Sequence, residues 1–166
     1  MSSYKRTTGT FVDIYDIEFR AGSKRGRIRS FDTIEADLSV DSGEKVYDLM
    51  KNNYFRADRR KDEFVWLLCL NSRLELVGIF ELSRGDNGTA IVSIPGIFER
   101  LLLAGGRGFI LVHNHPSGDV SPSKNDEETT EQLIKASDIM GIRFYDSIIV
   151  TDGAYYSFRE EGVQIK

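Results

Sequence analysis

The chain has 166 residues, 40% hydrophobic and 29% charged, with a net charge of −4. That balance suits one packed domain with a small appendage and argues against a general polyanion binder, which needs an excess of positive charge. The single cysteine, Cys69, excludes an internal disulfide, and no apolar run approaches the roughly 20 residues needed to cross a bilayer.

The N-terminus, Met1 to Arg6, lacks the apolar stretch of a secretory signal, so a cytoplasmic protein with no membrane partner is expected. Phe11 to Phe19 alternates apolar and polar residues as a half-buried strand does, Ala21-Gly22-Ser23-Lys24 offers turn chemistry, and Arg25 to Asp37 suits a return strand. Residues 1–42 therefore read as a strand-rich arm, and 43–166 as the main domain. Ser42 caps a helix with Val46, Leu49 and Met50 on one stripe. Glu63 to Leu70 is a strongly apolar strand, with Cys69 a buried hydrophobe within it. Asn71-Ser72-Arg73 turns it into a second strand, Leu74 to Leu82. A brief strand is expected over Thr89 to Ile94, then a helix opened by Pro95 and ended by Gly105-Gly106. Phe109 to Val112 leads a strand into the only two histidines. Ser123 caps a helix running to about Met140, with Leu133, Ala136 and Met140 facing inward and Gly141 past its end. Ile142 to Val150 is a further strand. The order predicts an α/β fold, a mixed sheet with helices on its faces.

The chemistry lies in Val112-His113-Asn114-His115-Pro116-Ser117-Gly118-Asp119, continued by Pro122-Ser123 and Asp126. Side chains at i and i+2 of a strand share a face, so His113 and His115 project together and Asn114 turns away. Two imidazoles and a nearby carboxylate form a zinc-type ligand set with one position left open, as a catalytic site requires. Asp126 is the expected third ligand and Asp119 the alternative. Water on such a metal needs a base, and Glu63, at the entrance of the apolar strand, is the candidate. Ser123 suits a helix cap, and its hydroxyl could also donate to a developing oxyanion.

These residues resemble the JAMM (MPN+) motif, and most closely its RadC-like bacterial branch, with HNHPSGD followed by PS and an Asp. The resemblance covers roughly residues 45 to 160. It implies a curved mixed sheet flanked by helices, of the JAMM/cytidine-deaminase-like kind, and a metallopeptidase acting on peptide or isopeptide bonds. It also implies that His113, His115 and Asp126 bind Zn2+, that Ser123 assists the tetrahedral intermediate, and that Glu63 is the base. The RadC name brings an association with DNA repair. The chain departs from the pattern twice. A strand-like arm stands where many relatives carry a helix-hairpin-helix domain, and Ile94-Pro95-Gly96-Ile97 replaces His-Pro-Arg-Glu.

Three functions compete. The first is a zinc hydrolase acting on a peptide or protein. The second is a DNA-associated module, with a structural or phosphodiester-directed metal, that uses the basic runs Lys24 to Arg29 and Arg56 to Lys61, near Arg25 and Arg59. The third is a peptide-binding domain using an open sheet edge. The N-terminal arm is the expected place for self-pairing into a homo-oligomer.

Overall fold

A computed structural model describes the backbone of residues 11–19, 26–35, 39–53, 62–85 and 92–165, and the side chains of 39–53, 62–83 and 92–165. The elements are β1 (Phe11–Phe19), β2 (Gly26–Glu35), α1 (Gly43–Asn53), β3 (Glu63–Leu70), β4 (Leu76–Gly85), α2 (Ile94–Ala104), β5 (Gly108–Asn114), α3 (Lys124–Met140), β6 (Arg143–Val150) and β7 (Tyr155–Ser157). They form an α/β fold around one mixed sheet in the order β2-β1-β4-β3-β5-β6-β7. β5 and β6 run parallel, joined through α3, while β3 is antiparallel to both its neighbours.

The expected N-terminal hairpin is present, pairing Phe11 with Glu35 through to Phe19 with Gly26. It does not stand apart from the domain, because β1 pairs in parallel with β4 at Ile14↔Ile79 and Tyr15↔Phe80. β2 is thus one edge of the sheet.

Alternation along the central strands divides the core. One face carries Phe64, Trp66, Leu68, Ile110, Val112, Ile148 and Val150 against Val46, Leu49 and Met50 of α1. The other carries Val65, Leu67, Cys69, Phe109, Leu111 and Phe144 against Ile97, Phe98 and Leu101 of α2 and Leu133 of α3. β3 and β5 are buried along almost their whole length, which explains why they read as continuous apolar runs.

Several expectations shift. Leu74 takes a left-handed φ of 62°, lengthening the turn so that β4 starts at Leu76. Of the strand expected over 89–94, residues 89–91 lie outside the described residues. Val92 is irregular, Ser93 is the N-cap of α2 and Ile94 its first residue, because the Ser93 hydroxyl accepts from the Gly96 N–H. Met140 is 42% exposed, since it lies in the last turn of α3 where Gly141 bends the chain into β6. Leu133 is buried and Ala136 packs against the core as expected, and Thr130 and Ser137 complete the buried stripe. No helix among the described residues is long and apolar enough to cross a membrane.

Candidate metal centre

β5 carries His113 and His115 out of the core at its C-terminal end, on the face covered by α3. His113 is buried, and His115 follows the last strand residue. The next residues turn tightly, with the Gly118 N–H donating to the His115 carbonyl at 3.1 Å and Gly118 at φ 84°, a conformation glycine adopts without steric cost. The turn brings the Asp119 carbonyl to His115 Nδ1, 2.7 Å away. That contact makes Nδ1 the protonated nitrogen and leaves the Nε2 lone pair free for a metal.

Asp126 comes from the first turn of α3. Its backbone N–H donates to Ser123 Oγ at 3.3 Å, and the Ser123 N–H donates back to Asp126 Oδ2 at 2.8 Å, a reciprocal capping box. The Ser123 hydroxyl also donates to Oδ2, at 2.6 Å. The hydroxyl proton therefore points at the carboxylate, and the contact expected toward an oxyanion requires the hydroxyl to rotate. With Oδ2 so engaged, Oδ1 is the oxygen turned to His113.

The donor atoms converge. His113 Nε2 and His115 Nε2 are 3.1 Å apart, His113 Nε2 lies 3.1 Å from Asp126 Oδ1, and His115 Nε2 lies 3.5 Å from Asp126 Oδ2. Ligands about 2.0–2.1 Å from a tetrahedral zinc sit about 3.3 Å from one another, so this group fits the ion in spacing and in donor type. Among the described residues it is the one cluster of three such side chains. Burial disfavours the charged Asp126 carboxylate, but hydrogen bonding with His113, His115 and Ser123 outweighs this and holds it well below the usual range. Asp126 in turn raises His115 above the ordinary imidazole value against the effect of burial, helped by the Asp119 carbonyl and the Glu63 charge. The site is organised to hold positive charge.

Asp119, the alternative ligand, is turned elsewhere. Its carboxylate accepts the Ser121 N–H at 2.9 Å, which holds it below its ordinary value. Glu63 does come to the site, sharing with His113 and Asp126 an open cleft also lined by Val65, Val92 and Leu111. The register explains this, because β3 pairs Val65 with His113 and two residues further along the same face stands Glu63. Asn114 is a feature that spacing alone did not reveal. It is buried behind the histidines with its carboxamide bonded to the backbone of Asp62 and of Phe64 in β3. Of the basic runs, residues 24, 25 and 56–61 lie outside the described residues, as do the side chains of Arg27 and Arg29.

Comparison with known proteins places the chain among similar sequences. A UPF0758 protein of Thermotoga maritima is 37% identical over 123 residues, 74% of this chain and 54% of that protein. One from Geobacter sulfurreducens is 40% identical over 124 residues, covering 74% and 52%. One from Caldanaerobacter subterraneus is 32% identical over 146 residues, covering 88% and 61%. The chain thus spans between half and about three fifths of these relatives' length. Residues 40–163 match the RadC-like JAB domain, a span that contains Glu63, both histidines, Ser123 and Asp126, and the chain therefore belongs to the RadC-like JAB domain family.

Proposed function

We propose that this chain is a zinc-dependent hydrolase acting on a peptide or isopeptide bond. The observation that carries the reading is the convergence of His113, His115 and Asp126 in a cleft that also holds the Glu63 carboxylate. His113 and His115 would bind through Nε2, and Asp126 through its carboxylate. Zinc is the default ion for such a set, and when bound it supplies a Lewis acid that polarises a carbonyl and acidifies water. Glu63 accepts the proton of the attacking water and delivers it to the leaving amine. Ser123 steadies Asp126 and, with its hydroxyl rotated, donates to the oxygen of the tetrahedral intermediate. Val65, Val92 and Leu111 give the cleft an apolar wall beside the ligand group.

The test is turnover of a quenched-fluorescence peptide library and of lysine-linked isopeptides by zinc-loaded protein. Glu63→Gln should keep the metal and lose roughly 10²–10⁴-fold in rate. Undiminished turnover in Glu63→Gln, or no zinc on protein purified without chelators, would overturn the reading.

A further inference from the structure

The main-chain ladder between β3 and β5 ends at Val65↔His113, two residues short of Glu63. Beyond it the strands are joined by a side chain. Asn114 Oδ1 accepts the Phe64 N–H at 2.7 Å, and Asn114 Nδ2 donates to the Asp62 carbonyl at 2.9 Å. These are the two peptide groups that flank Glu63, so one carboxamide grips the backbone on both sides of the same residue. Its two ends match the two partners, since an N–H requires the oxygen and a carbonyl requires the NH2. No other side chain of this size offers a donor and an acceptor fixed in one plane, apart from the longer Gln. An Asp would set a carboxylate oxygen against the Asp62 carbonyl.

Strand alternation sets the geometry of this grip. Asn114 lies between His113 and His115 and points to the opposite face, reaching sideways to β3 while its neighbours reach the metal group. Its backbone is fixed on the other side by pairing with Val150 of β6. Asn114 is 4% exposed, so its hydrogen bonds do not compete with bulk water. The histidines and the carboxylate they work with are thus referred to one rigid tripeptide.

We propose that Asn114 is a positioning residue that sets the distance of the Glu63 carboxylate from the His113–His115–Asp126 group. The proposal rests on reading Glu63 as the proton acceptor. It assigns Asn114 no contact with substrate or metal.

The test uses Co2+-loaded protein as a paramagnetic probe. Asn114→Ala should keep about one equivalent of cobalt, because the ligands lie on the other face. Phe64 amide exchange should accelerate roughly tenfold while that of Leu67 is unchanged. The pseudocontact shift of the 13C-labelled Glu63 carboxylate, identified by its absence in Glu63→Gln, should collapse toward an averaged value. If Asn114→Ala fails to fold, Asn114→Thr serves, since its hydroxyl reaches only one of the two peptide groups and should give a smaller change of the same kind. An unchanged Glu63 pseudocontact shift in a folded, metal-loaded variant overturns the proposal. So does loss of cobalt from both variants, which would make Asn114 a support of the ligands. On any peptide that the wild type cleaves, Asn114→Ala should lower kcat roughly 10²-fold with KM little changed, and should add nothing to Glu63→Gln. Additive losses overturn it. A wild type that cleaves nothing counts against the hydrolase reading, while the exchange and pseudocontact data still decide the placement.

Discussion

Replacing Asp146 by Asn should erase a defined part of the pH dependence of stability. Asp146 is 1% exposed in the middle of β6. Burial pushes its carboxyl from 3.8 up to about 6, against the Ser157 hydroxyl, which donates to Oδ2, and the Arg159 N–H, which donates to Oδ1 at 3.1 Å. An acid whose folded pKa exceeds its unfolded one is held more tightly by protons in the native state. Its stabilising contribution is therefore complete below about pH 4 and is lost as the pH rises through about 6. At ~1.4 kcal/mol per pH unit of separation, the ionised form costs the native state about 3 kcal/mol at neutral pH. Asn keeps the shape and still accepts from Arg159. Its NH2 meets Ser157 Oγ, which already accepts from Glu160 N–H, so the serine proton loses its acceptor at a pH-independent cost of about 1–3 kcal/mol. The absolute difference at one pH thus mixes two effects, and the slope isolates one. Urea unfolding of chelator-treated wild type and Asp146→Asn from about pH 4 to pH 8 should show their stability difference moving by about 2.4 kcal/mol in favour of Asn, mostly below about pH 6. A constant difference across that range would refute the reasoning, and would mean that the two donors offset burial.

Asp119→Asn should retain zinc and Asp126→Asn should lose it, as read by metal content after gel filtration, because only the Asp126 carboxylate meets the histidines. Ser123→Ala should cost about 1 kcal/mol through the lost cap and weaken zinc about 10–100-fold by freeing Asp126 Oδ2, measured by urea unfolding and chelator competition. A Cβ at Gly106 would stand 2.5 Å from Cys69 Sγ and 3.2 Å from Leu101 Cδ2, so Gly106→Ala should destabilise by about 1–3 kcal/mol, and adding Cys69→Ala should recover part of that loss.

What could be read from the chain alone followed from local causes. α3 was bounded correctly because Ser123 and Gly141 are a cap at one end and a left-handed C-cap, φ 64°, at the other. β3 and β5 announced themselves by apolar runs of the kind a strand buried on both faces carries. The expectations that shifted depend on what surrounds an element. Met140 has the spacing of an inward residue but stands where the helix overhangs its support. Val92 to Ile94, the described end of the expected strand, has strand-like residues, but Ser93 and Pro95 carry stronger local instructions for starting a helix. Glu63 was distinguishable from other carboxylates only by resemblance, since a strand-end Glu has no local mark of function. The pairing of Val65 with His113 brings it to the cleft, and that register joins residues far apart in the chain. The grip of Asn114 on β3 was hidden for the same reason.

The site lies where three independent directions of the chain end together. β5 and β6 are parallel strands joined through α3, and in such a unit the crevice outside the strands' carboxyl ends meets the start of the connecting helix. A helical Cβ tilts toward the helix N-terminus, so a carboxylate in the first turn projects off the helix end toward the strand ends. Asp126 can therefore close the capping box with Oδ2, which also lies 3.5 Å from His115 Nε2, while Oδ1 faces His113. The capping bonds thus hold the Asp126 carboxylate in the orientation that faces the two histidines. β3 runs antiparallel to β5, which puts the first residue of β3, and not its last, beside the final residues of β5. A parallel β3 would carry Glu63 to the far end of the sheet. The candidate base and the candidate ligands are thus neighbours through strand direction, with β4 pairing the outer edge of β3 as far as Glu63↔Gly85 and the Asn114 carboxamide joining its inner edge to β5 beyond the last main-chain pair.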